Sequence, residues 1–135
     1  MDFNIDDLVK HTQQLTLLYV EDNQESREST YILLDQLFNK VIVAQDGEDG
    51  LEKFKNNEVD FIITDLNMPV MNGITMVDNI KQINPNIPVI VLSAHDEQVY
   101  IDKSYNVGAN FYLNKPIEMT KLFETIYEIV NYKQS

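Results

Sequence analysis

The chain has 135 residues, of which 44% are hydrophobic, and this suits one globular domain with a single core. The formal net charge of −12 argues against a chain that grips a nucleic-acid backbone by itself, because such binding needs clustered Lys and Arg. A surface this acidic favours a cation or a basic partner. There is no cysteine, so disulfides and thiolate metal sites are excluded, which is compatible with a reducing compartment.

The first residues carry no visible targeting signal. Asp2, Asp6 and Asp7 stand where a signal peptide has a basic start and then an apolar stretch. No apolar run approaches the roughly 18 residues that a membrane span requires. We therefore expect a soluble cytoplasmic protein that does not contact a membrane.

Residues 1–14 are a polar lead-in to the first predicted strand. Phe3, Ile5, Leu8 and Val9 are scattered through it, and the last three have the spacing of one amphipathic turn. Chain ends are usually poorly ordered unless something ties them down. We therefore expect a loosely packed N-terminal extension rather than a helix, with the domain itself over residues 15–135.

Five short apolar runs predict the strands of a sheet. The run at 61–65 is apolar or β-branched up to its last residue and is followed by Pro and Gly, as in a strand of a parallel sheet that is buried on both faces. Pro88 fits the fourth strand only near its start. The predicted strands lie at residues 15–21, 41–44, 61–65, 87–93 and 111–113.

Apolar residues at helical spacing predict a helix after each strand. Asn23 or a neighbour caps the first helix, and Gly108 lies just past the end of the fourth, as a helix C-terminus prefers. The third helix ends at the Asn-Pro-Asn turn of residues 84–86. The predicted helices span residues 23–38, 48–57, about 74–83, 96–106 and 118–132.

Strict alternation of strands and helices predicts right-handed βαβ crossovers. The fold class is therefore α/β, with a doubly wound, five-stranded parallel sheet and five helices that cover its two faces. The strand order is not directly readable from the sequence. An order of 2-1-3-4-5 puts the ends of strands one and three side by side at the switch point, where such sheets bind ligands. Asp22 then lies next to Asp65.

Acidic, hydroxyl and ammonium groups stand at the carboxyl ends of the predicted strands. Glu21, Asp22 and Asp65 are acids that raise one another's pKa when they cluster without a metal, and oxygen ligands of this kind suit Mg²⁺. A cation that bridges a carboxylate and a phosphoryl group removes the repulsion between these two anions. Ser93 and Lys115 supply fixed donors for phosphoryl oxygens.

The order of these motifs resembles the receiver domain of bacterial two-component response regulators. The resemblance covers about residues 15–132, and it is specific because four motifs occur in the right order at the right strand ends. They are Glu21-Asp22 after strand one, Asp65 with Met68-Pro69 and Gly73 after strand three, Ser93-Ala94 after strand four, and Gly108-Ala109 through Tyr112 to Lys115-Pro116.

The resemblance implies a flavodoxin-like fold and a signalling switch that phosphorylation controls. A sensor histidine kinase or a phosphotransfer protein is expected to pass a phosphoryl group from phosphohistidine to Asp65, in a reaction that needs Mg²⁺. The domain catalyses only its own phosphorylation and dephosphorylation, so it is not a conventional enzyme. Its output passes to a downstream protein partner or a fused output domain, and this domain does not bind nucleic acid directly.

The resemblance also assigns the metal ligands. Asp65 is the phosphoacceptor and a ligand, Asp22 is a direct ligand, and the backbone carbonyl of Asn67 is another. Glu21 binds the metal through water, although it departs from the aspartate that is commonest at this place. The side chain of Glu21 is longer than that aspartate by one methylene group.

The remaining roles concern the phosphoryl group and the signal. Ser93 and Lys115 hold the phosphoryl group, and Ser93 and Tyr112 form the switch, which acts on the face made by the fourth helix, fifth strand and fifth helix. The peptide bond before Pro116 is expected to be cis. This face lacks the paired Arg and Asp of receivers that dimerise to bind DNA, so we expect a hetero-partner. Apolar area there comes from Tyr100, Ile101, Phe111 and Tyr127.

Simpler roles remain open for the same residues. His95 has no second histidine at metal-ligand spacing, so a loop histidine is the preferred interpretation. Structural roles also fit the others: a solvated strand end for Glu21-Asp22, a small turn residue for Ser93, a surface cation for Lys115 and a core aromatic for Tyr112.

Two other function classes conflict with specific residues. A phosphatase of the haloacid dehalogenase type also uses an Asp after a parallel strand and Mg²⁺, but it needs a second Asp where Asn67 stands. A nucleotide-binding module needs a Gly-rich first turn, and residues 21–24 contain no glycine. A small phosphodonor separates the three classes: a receiver forms an adduct, a phosphatase turns over, and a dinucleotide binder does neither.

Overall fold

Parallel strands form the middle layer of the protein, of which the computed structural model describes residues 4–134, with side chains through residue 131. The strands are β1 (Thr16–Val20), β2 (Lys40–Ala44), β3 (Phe61–Asp65), β4 (Val89–Ser93) and β5 (Phe111–Asn114). They run in the order β2-β1-β3-β4-β5, and each neighbouring pair is parallel. The predicted order of 2-1-3-4-5 is confirmed.

Helices cover both faces of this sheet. They are α1 (Ile5–Thr12), α2 (Gln24–Asp35), α3 (Gly47–Asn56), α4 (Gly73–Ile83), α5 (Gln98–Asn106) and α6 (Met119–Gln134). On one face α1, α2 and α6 share a core cluster that includes Leu8, Leu34 and Ile126. On the other face Phe54 of α3 and Val77 of α4 belong to a second cluster, against which α5 packs. None of these helices, as described, is long and apolar enough to cross a membrane.

The central strand β3 is buried along its whole length. Ile63 packs into the cluster under α1, α2 and α6, and its neighbour Ile62 packs into the cluster on the opposite face. A strand that is buried on both faces needs apolar side chains in succession, which is why residues 61–63 show no polar alternation. The carboxyl end of β3 therefore emerges between β1 and β4, and this fixes the position of Asp65.

Side-chain caps begin several of the helices. Asn23 accepts a hydrogen bond of 2.8 Å from the Ser26 N–H at the start of α2, which confirms the predicted cap. Asp46 caps α3 and Asn72 caps α4 in the same way. Gly108 has a φ of 108° just past α5, the left-handed region that favours glycine, as its predicted position requires.

The N-terminal residues form a helix that was not predicted. The sequence predicted five helices, whereas residues 4–134 form six. A loosely packed extension is wrong for the described part, because α1 forms there and Leu8 is fully buried. Phe3 lies outside the described residues. The polar sequence did not indicate the docking of α1, since the surface that buries Leu8 is supplied by residues distant in the chain. The division into an extension (1–14) and a domain (15–135) stays a prediction.

Candidate functional site

Three acidic side chains meet at the carboxyl edge of the sheet. Glu21 follows β1, Asp22 comes next, and Asp65 ends β3, and each offers a carboxylate oxygen within 4.8 Å of the others. They converge because β1 and β3 are neighbours, with Val20 beside Thr64 in the register. Glu21 and Asp65 are buried, whereas Asp22 is exposed. The structure thus brings together the acids that the sequence predicted at one site.

Lys115 brings a positive charge to the two buried acids. Its ammonium Nζ lies 2.8 Å from Glu21 Oε1 and 3.2 Å from Asp65 Oδ1. The Lys115–Pro116 peptide bond is cis, as the resemblance implied. Burial lowers the pKa of Lys115, but the hydrogen bond to Glu21 and the charges of Asp65 and Glu21 outweigh that effect and raise it. The ammonium is therefore held in its charged form.

Asp65 is buried among these charges, and its carboxyl group has a raised pKa. Burial raises its pKa from 3.8 to about 6, and the neighbouring Glu21 charge adds to the rise. Lys115 and the Leu66 N–H, which donates to Asp65 Oδ1 at 2.9 Å, act in the opposite direction. One ammonium does not neutralise three carboxylates, so the cluster has an excess of negative charge. A divalent cation with a preference for oxygen ligands matches that excess.

Both carboxylate oxygens of Glu21 accept hydrogen bonds. Oε1 accepts from Lys115 at 2.8 Å, and Oε2 accepts from the Asn23 N–H at 3.2 Å. Arg27 adds a third anchor, because its Nη1 donates to the backbone carbonyl of Glu21 at 2.7 Å. The longer Glu side chain thus links β5 to the start of α2 without leaving a lone charge.

Arg27 is the site residue that the sequence analysis missed. It lies in the first turns of α2, where a cation ordinarily reads as part of the solvated face of a helix. The only signal is its spacing after the acids, since a side chain one turn into α2 reaches back towards the residue that ends β1. The Glu21 carbonyl cannot be recognised as an acceptor from sequence.

Ser93 and Tyr112 lie together, as the predicted switch requires. Ser93 is 1% exposed at the end of β4, and its Oγ accepts the His95 N–H at 3.0 Å. The Tyr112 hydroxyl donates to the His95 carbonyl at 2.6 Å. Burial raises the pKa of Tyr112, and the hydrogen bond with Ser93 partly offsets the rise. The two hydroxyls and the β4–α5 loop thus form one connected network.

His95 closes the site from the side of α5. Its Nε2 contacts the side-chain amide of Asn67, which lies two residues after Asp65. Its Nδ1 lies 3.4 Å from Glu97 Oε2, and its ring lies 4.5 Å from that of Tyr100 between centroids. Within the described residues His95 does not belong to the acidic cluster that fits a metal. It is a loop histidine, and its contact with Asn67 joins the β4–α5 loop to the β3–α4 loop that follows Asp65.

The loop between β3 and α4 is tightly constrained. A Cβ at Gly73 would collide with the Asp65 backbone carbonyl, and the Gly73 N–H donates to Leu66 at 2.8 Å. Val70 has a φ of 69°, and the Met71 N–H donates to Pro69 across it at 2.7 Å, which is a γ-turn of the strained kind. The loop therefore returns to the backbone of Asp65 and holds the residue in place.

The fold and the acidic cluster define an α/β protein with a candidate cation site at the switch point of its sheet. The sequence model of the response regulator receiver domain matches residues 17–127. The chain belongs to this family, the receiver domains of two-component response regulators.

Two curated relatives illustrate how receiver domains are used. The chemotaxis protein CheY of Treponema pallidum is 32% identical over 117 residues, which are 84% of this chain and 81% of CheY. The transcriptional regulatory protein DegU of Brevibacillus brevis is 30% identical over 115 residues, and these cover 84% of this chain but only 49% of DegU. The chain spans half or less of the length of several curated relatives that it matches, and in the sensor kinase/phosphatase LuxN of Vibrio harveyi it spans 11%.

Two solved structures have the same architecture. The N-terminal domain of an uncharacterized protein from Wolinella succinogenes is 38% identical, with a TM-score of 0.82 over 89% of this chain and 97% of that one. A chain of the CheX–CheY complex of Borrelia burgdorferi with BeF₃ and Mg²⁺ is 29% identical, with a TM-score of 0.78 over 85% and 88% of the two chains.

The raised pKa of Asp65 predicts how stability depends on pH without a metal. Because the folded state binds this proton more tightly, the contribution of Asp65 to the free energy of unfolding is fully present below the unfolded pKa of about 3.9 and is lost as pH rises through about 6. Asp65→Asn removes this loss, so we expect the variant to be more stable than the wild type at pH 7.5 in EDTA, by about 2–3 kcal/mol. Urea unfolding between pH 4 and pH 7.5 measures this difference.

Asp102→Asn provides a matched control, because Asp102 is exposed on α5. The advantage of Asp65→Asn should shrink as the pH falls from 7.5 to 4, whereas Asp102→Asn should show no such trend. An advantage that stays constant across this range contradicts the assignment of the raised pKa to Asp65.

Proposed function

We propose that this chain is a switch that accepts a phosphoryl group on Asp65 and loses it again by hydrolysis. The observation that carries the proposal is the cluster of Glu21, Asp22 and Asp65 with Lys115 at the switch point of the sheet. The donor is the phosphohistidine of a sensor histidine kinase or a phosphotransfer protein. The receiver produces no released product other than phosphate, so its chemistry is confined to its own modification.

Asp65 is the nucleophile in this reaction. A carboxylate oxygen of Asp65 forms the new O–P bond while the P–N bond to the donor imidazole breaks, and the imidazole leaves with its electron pair and takes up a proton. The oxygen attacks only as the anion, and a pKa of about 6 leaves most of Asp65 ionised at neutral pH. Burial between β1 and β4 fixes the direction of attack.

The resident cofactor we propose is Mg²⁺. Asp22, Asp65 and the Asn67 carbonyl would hold it, with Glu21 acting through water, and all of these donors are oxygen atoms. The ion would neutralise charge between the carboxylate and the incoming phosphoryl group. The excess of negative charge in the cluster supports this assignment, as does the Mg²⁺ named with the Borrelia burgdorferi complex.

Lys115 and Ser93 hold the transferred group. The Lys115 ammonium bonds to both Glu21 and Asp65, so it needs to move only slightly to follow the phosphoryl oxygens. The Ser93 hydroxyl is buried at the end of the neighbouring strand and has a proton to donate. Both donors lie at the site before the reaction, and they would stabilise the charge that develops on the phosphoryl oxygens.

The phosphoryl group is read by another protein or by a fused output domain. Relatives such as DegU and LuxN are longer than this chain, and their names include a transcriptional regulator and a sensor kinase. The acidic composition supports an output through protein contacts, without direct binding of nucleic acid by this domain. A cytoplasmic location stays a prediction.

Phosphorylation should require both Asp65 and a divalent cation. Incubation with acetyl phosphate and Mg²⁺ should add one phosphoryl group to the wild type by intact-mass spectrometry, and none to Asp65→Asn. Asp78→Asn is the control, because Asp78 is exposed on α4 and should leave the adduct unchanged. An adduct that survives Asp65→Asn, or that forms fully in EDTA, rules out this site.

The contact between Asn67 and His95 should control the lifetime of the adduct. The two side chains meet beside Asp65, where they limit the approach of water to the phosphoryl group. We expect Asn67→Ala and His95→Ala each to change the hydrolysis rate by about fivefold or more, an effect of roughly 1 kcal/mol, and to change formation less. The measurement compares the hydrolysis rate of the purified adduct with the rate at which the adduct forms, for each variant and the wild type.

Asn86→Ala is the control for this comparison, since Asn86 lies in an exposed loop before β4. Equal effects of the Asn67 or His95 change on formation and hydrolysis would indicate damage to the site instead of control of water.

The switch should act on the face formed by α5, β5 and α6. The Tyr112 hydroxyl already contacts the β4–α5 loop at His95, and Val99 and Tyr105 expose apolar area on α5. Phe111 on β5 is only half-buried, whereas Tyr127 of α6 also meets the ring of His11 in α1. These observations support an apolar contact surface for a hetero-partner.

Chemical-shift mapping with a beryllofluoride mimic on Asp65 tests this surface. We expect shifts to spread from the acidic cluster through residues 95–112, while light scattering still reports a monomer. Shifts confined to the acidic cluster, or a dimer closed by this face, contradict the proposal.

A further inference from the structure

The N-terminal helix α1 contacts the segment that follows α2 and the helix α6, which is distant in the chain. Leu8 is fully buried in the cluster that also holds Leu34 of α2 and Ile126 of α6. The Thr12 hydroxyl is buried and donates to the Leu37 carbonyl, just past the end of α2, at 2.6 Å. The ring of His11 lies edge-on to Tyr127 of α6, with centroids 6.0 Å apart. One short helix therefore joins the end of α2 to α6.

The contacts of α1 are needed for it to be a helix at all. Eight residues are too few for a stable isolated helix in water. Local signals do favour the helix, because Asn4 accepts the Asp6 N–H at 2.8 Å, acids occupy its first turn and Lys10 its last. These signals are worth less than the burial of Leu8, so docking and helix formation occur together. The helix also lies outside residues 17–127, the part that the receiver family matches.

The two helices that α1 joins also form the walls of a cleft beside the candidate site. The cleft has a volume of about 530 Å³ and reaches Glu21 and Lys115. One wall is α2, which begins directly after the acids, and the other includes the start of α6, which follows Lys115 by a few residues. Lining side chains include Ser26, Ser29 and Thr30 from α2, and Ile117, Met119 and Leu122. The spacing of α2 and α6 thus sets the width of this cleft, which Lys115 also lines.

We propose that α1 is an intramolecular clamp that fixes this spacing from the opposite end. It anchors α6 through Tyr127 and the end of α2 through Leu37, so neither helix can shift alone. The open end of the cleft is left at a defined width next to Lys115. The consequence for phosphorylation rests on the proposed function of Asp65, but the clamp itself does not. Residues of α1 are then positioning residues that act through α2 and α6.

Hydrogen exchange on the full chain tests the clamp with a matched pair of variants on α1. Leu8→Ala removes a buried side chain, and Ile5→Ala removes an aliphatic side chain that is 46% exposed on the same helix. For Leu8→Ala we expect amide exchange to become about tenfold faster in residues 5–12, and also in α6 and the second half of α2. For Ile5→Ala we expect exchange in α2 and α6 to remain as in the wild type.

Thr12 provides a second, milder pair. Thr12→Val removes the donor to Leu37 and keeps the volume, whereas Thr12→Ser keeps the donor. Thr12→Val should speed exchange at the end of α2 and Thr12→Ser should do so much less. This pair decides the question if Leu8→Ala does not fold.

Phosphorylation adds a functional readout. With acetyl phosphate and saturating Mg²⁺, we expect Leu8→Ala to form the adduct about threefold to tenfold more slowly than Ile5→Ala, because Lys115 is held less firmly. If the wild type forms no adduct, the proposed function is wrong. The hydrogen-exchange data then decide by themselves whether α1 acts as a clamp. Faster exchange confined to residues 5–12, with α2 and α6 unchanged, overturns the clamp.

Discussion

The rest of this structure depends on the contacts of the Lys115 ammonium with the carboxylates of Glu21 and Asp65. Two carboxylates, on Glu21 and Asp65, are buried at the ends of neighbouring strands, and such charges are costly to remove from water. Lys115 approaches both, but burial and then the charge of Glu21 still raise the pKa of Asp65, because one ammonium cannot fully offset these two effects. The acidic cluster is therefore destabilising by itself, and the sheet and the helices around it must hold it together.

The parallel sheet supplies that support through its strand order. Placing β1 beside β3 brings the acids together, and β4 and β5 then add Ser93 and Lys115 from the same edge. The loop after β3 returns so closely that only glycine fits at position 73, which ties α4 to the backbone of Asp65. The site thus has little freedom to relax by separating its charges, and a cation is the simpler way to lower its energy.

Much of this arrangement could be predicted from the sequence, because the relevant signals are local. Apolar runs gave the strands, and their alternation with helices led to a parallel sheet. The convergence of Asp22 and Asp65 needed in addition the order 2-1-3-4-5, which the sequence does not show directly. The docking of α1 and the anchoring of Glu21 by Arg27 could not be predicted in this way. Leu8 has an ordinary local pattern, and only the fold brings its partners on α6 within reach, whereas Arg27 has a partner close in sequence, but a backbone carbonyl gives no sequence signal.

Transfer of a phosphoryl group changes the charge at this site more than it changes the volume. An acyl phosphate on Asp65 would carry close to two negative charges at neutral pH, as other phosphorylated side chains do, where the carboxylate carried one. With a divalent ion and Lys115 engaged as proposed, the added charge favours a further donor, and Ser93 offers a buried hydroxyl at the same edge of the sheet. In this structure the Ser93 hydroxyl accepts a hydrogen bond from the His95 N–H, and the His95 carbonyl accepts one from the Tyr112 hydroxyl. In the switch proposed above, Ser93 moves towards the phosphoryl group, which would weaken its bond to the His95 N–H and carry the change through the β4–α5 loop to α5.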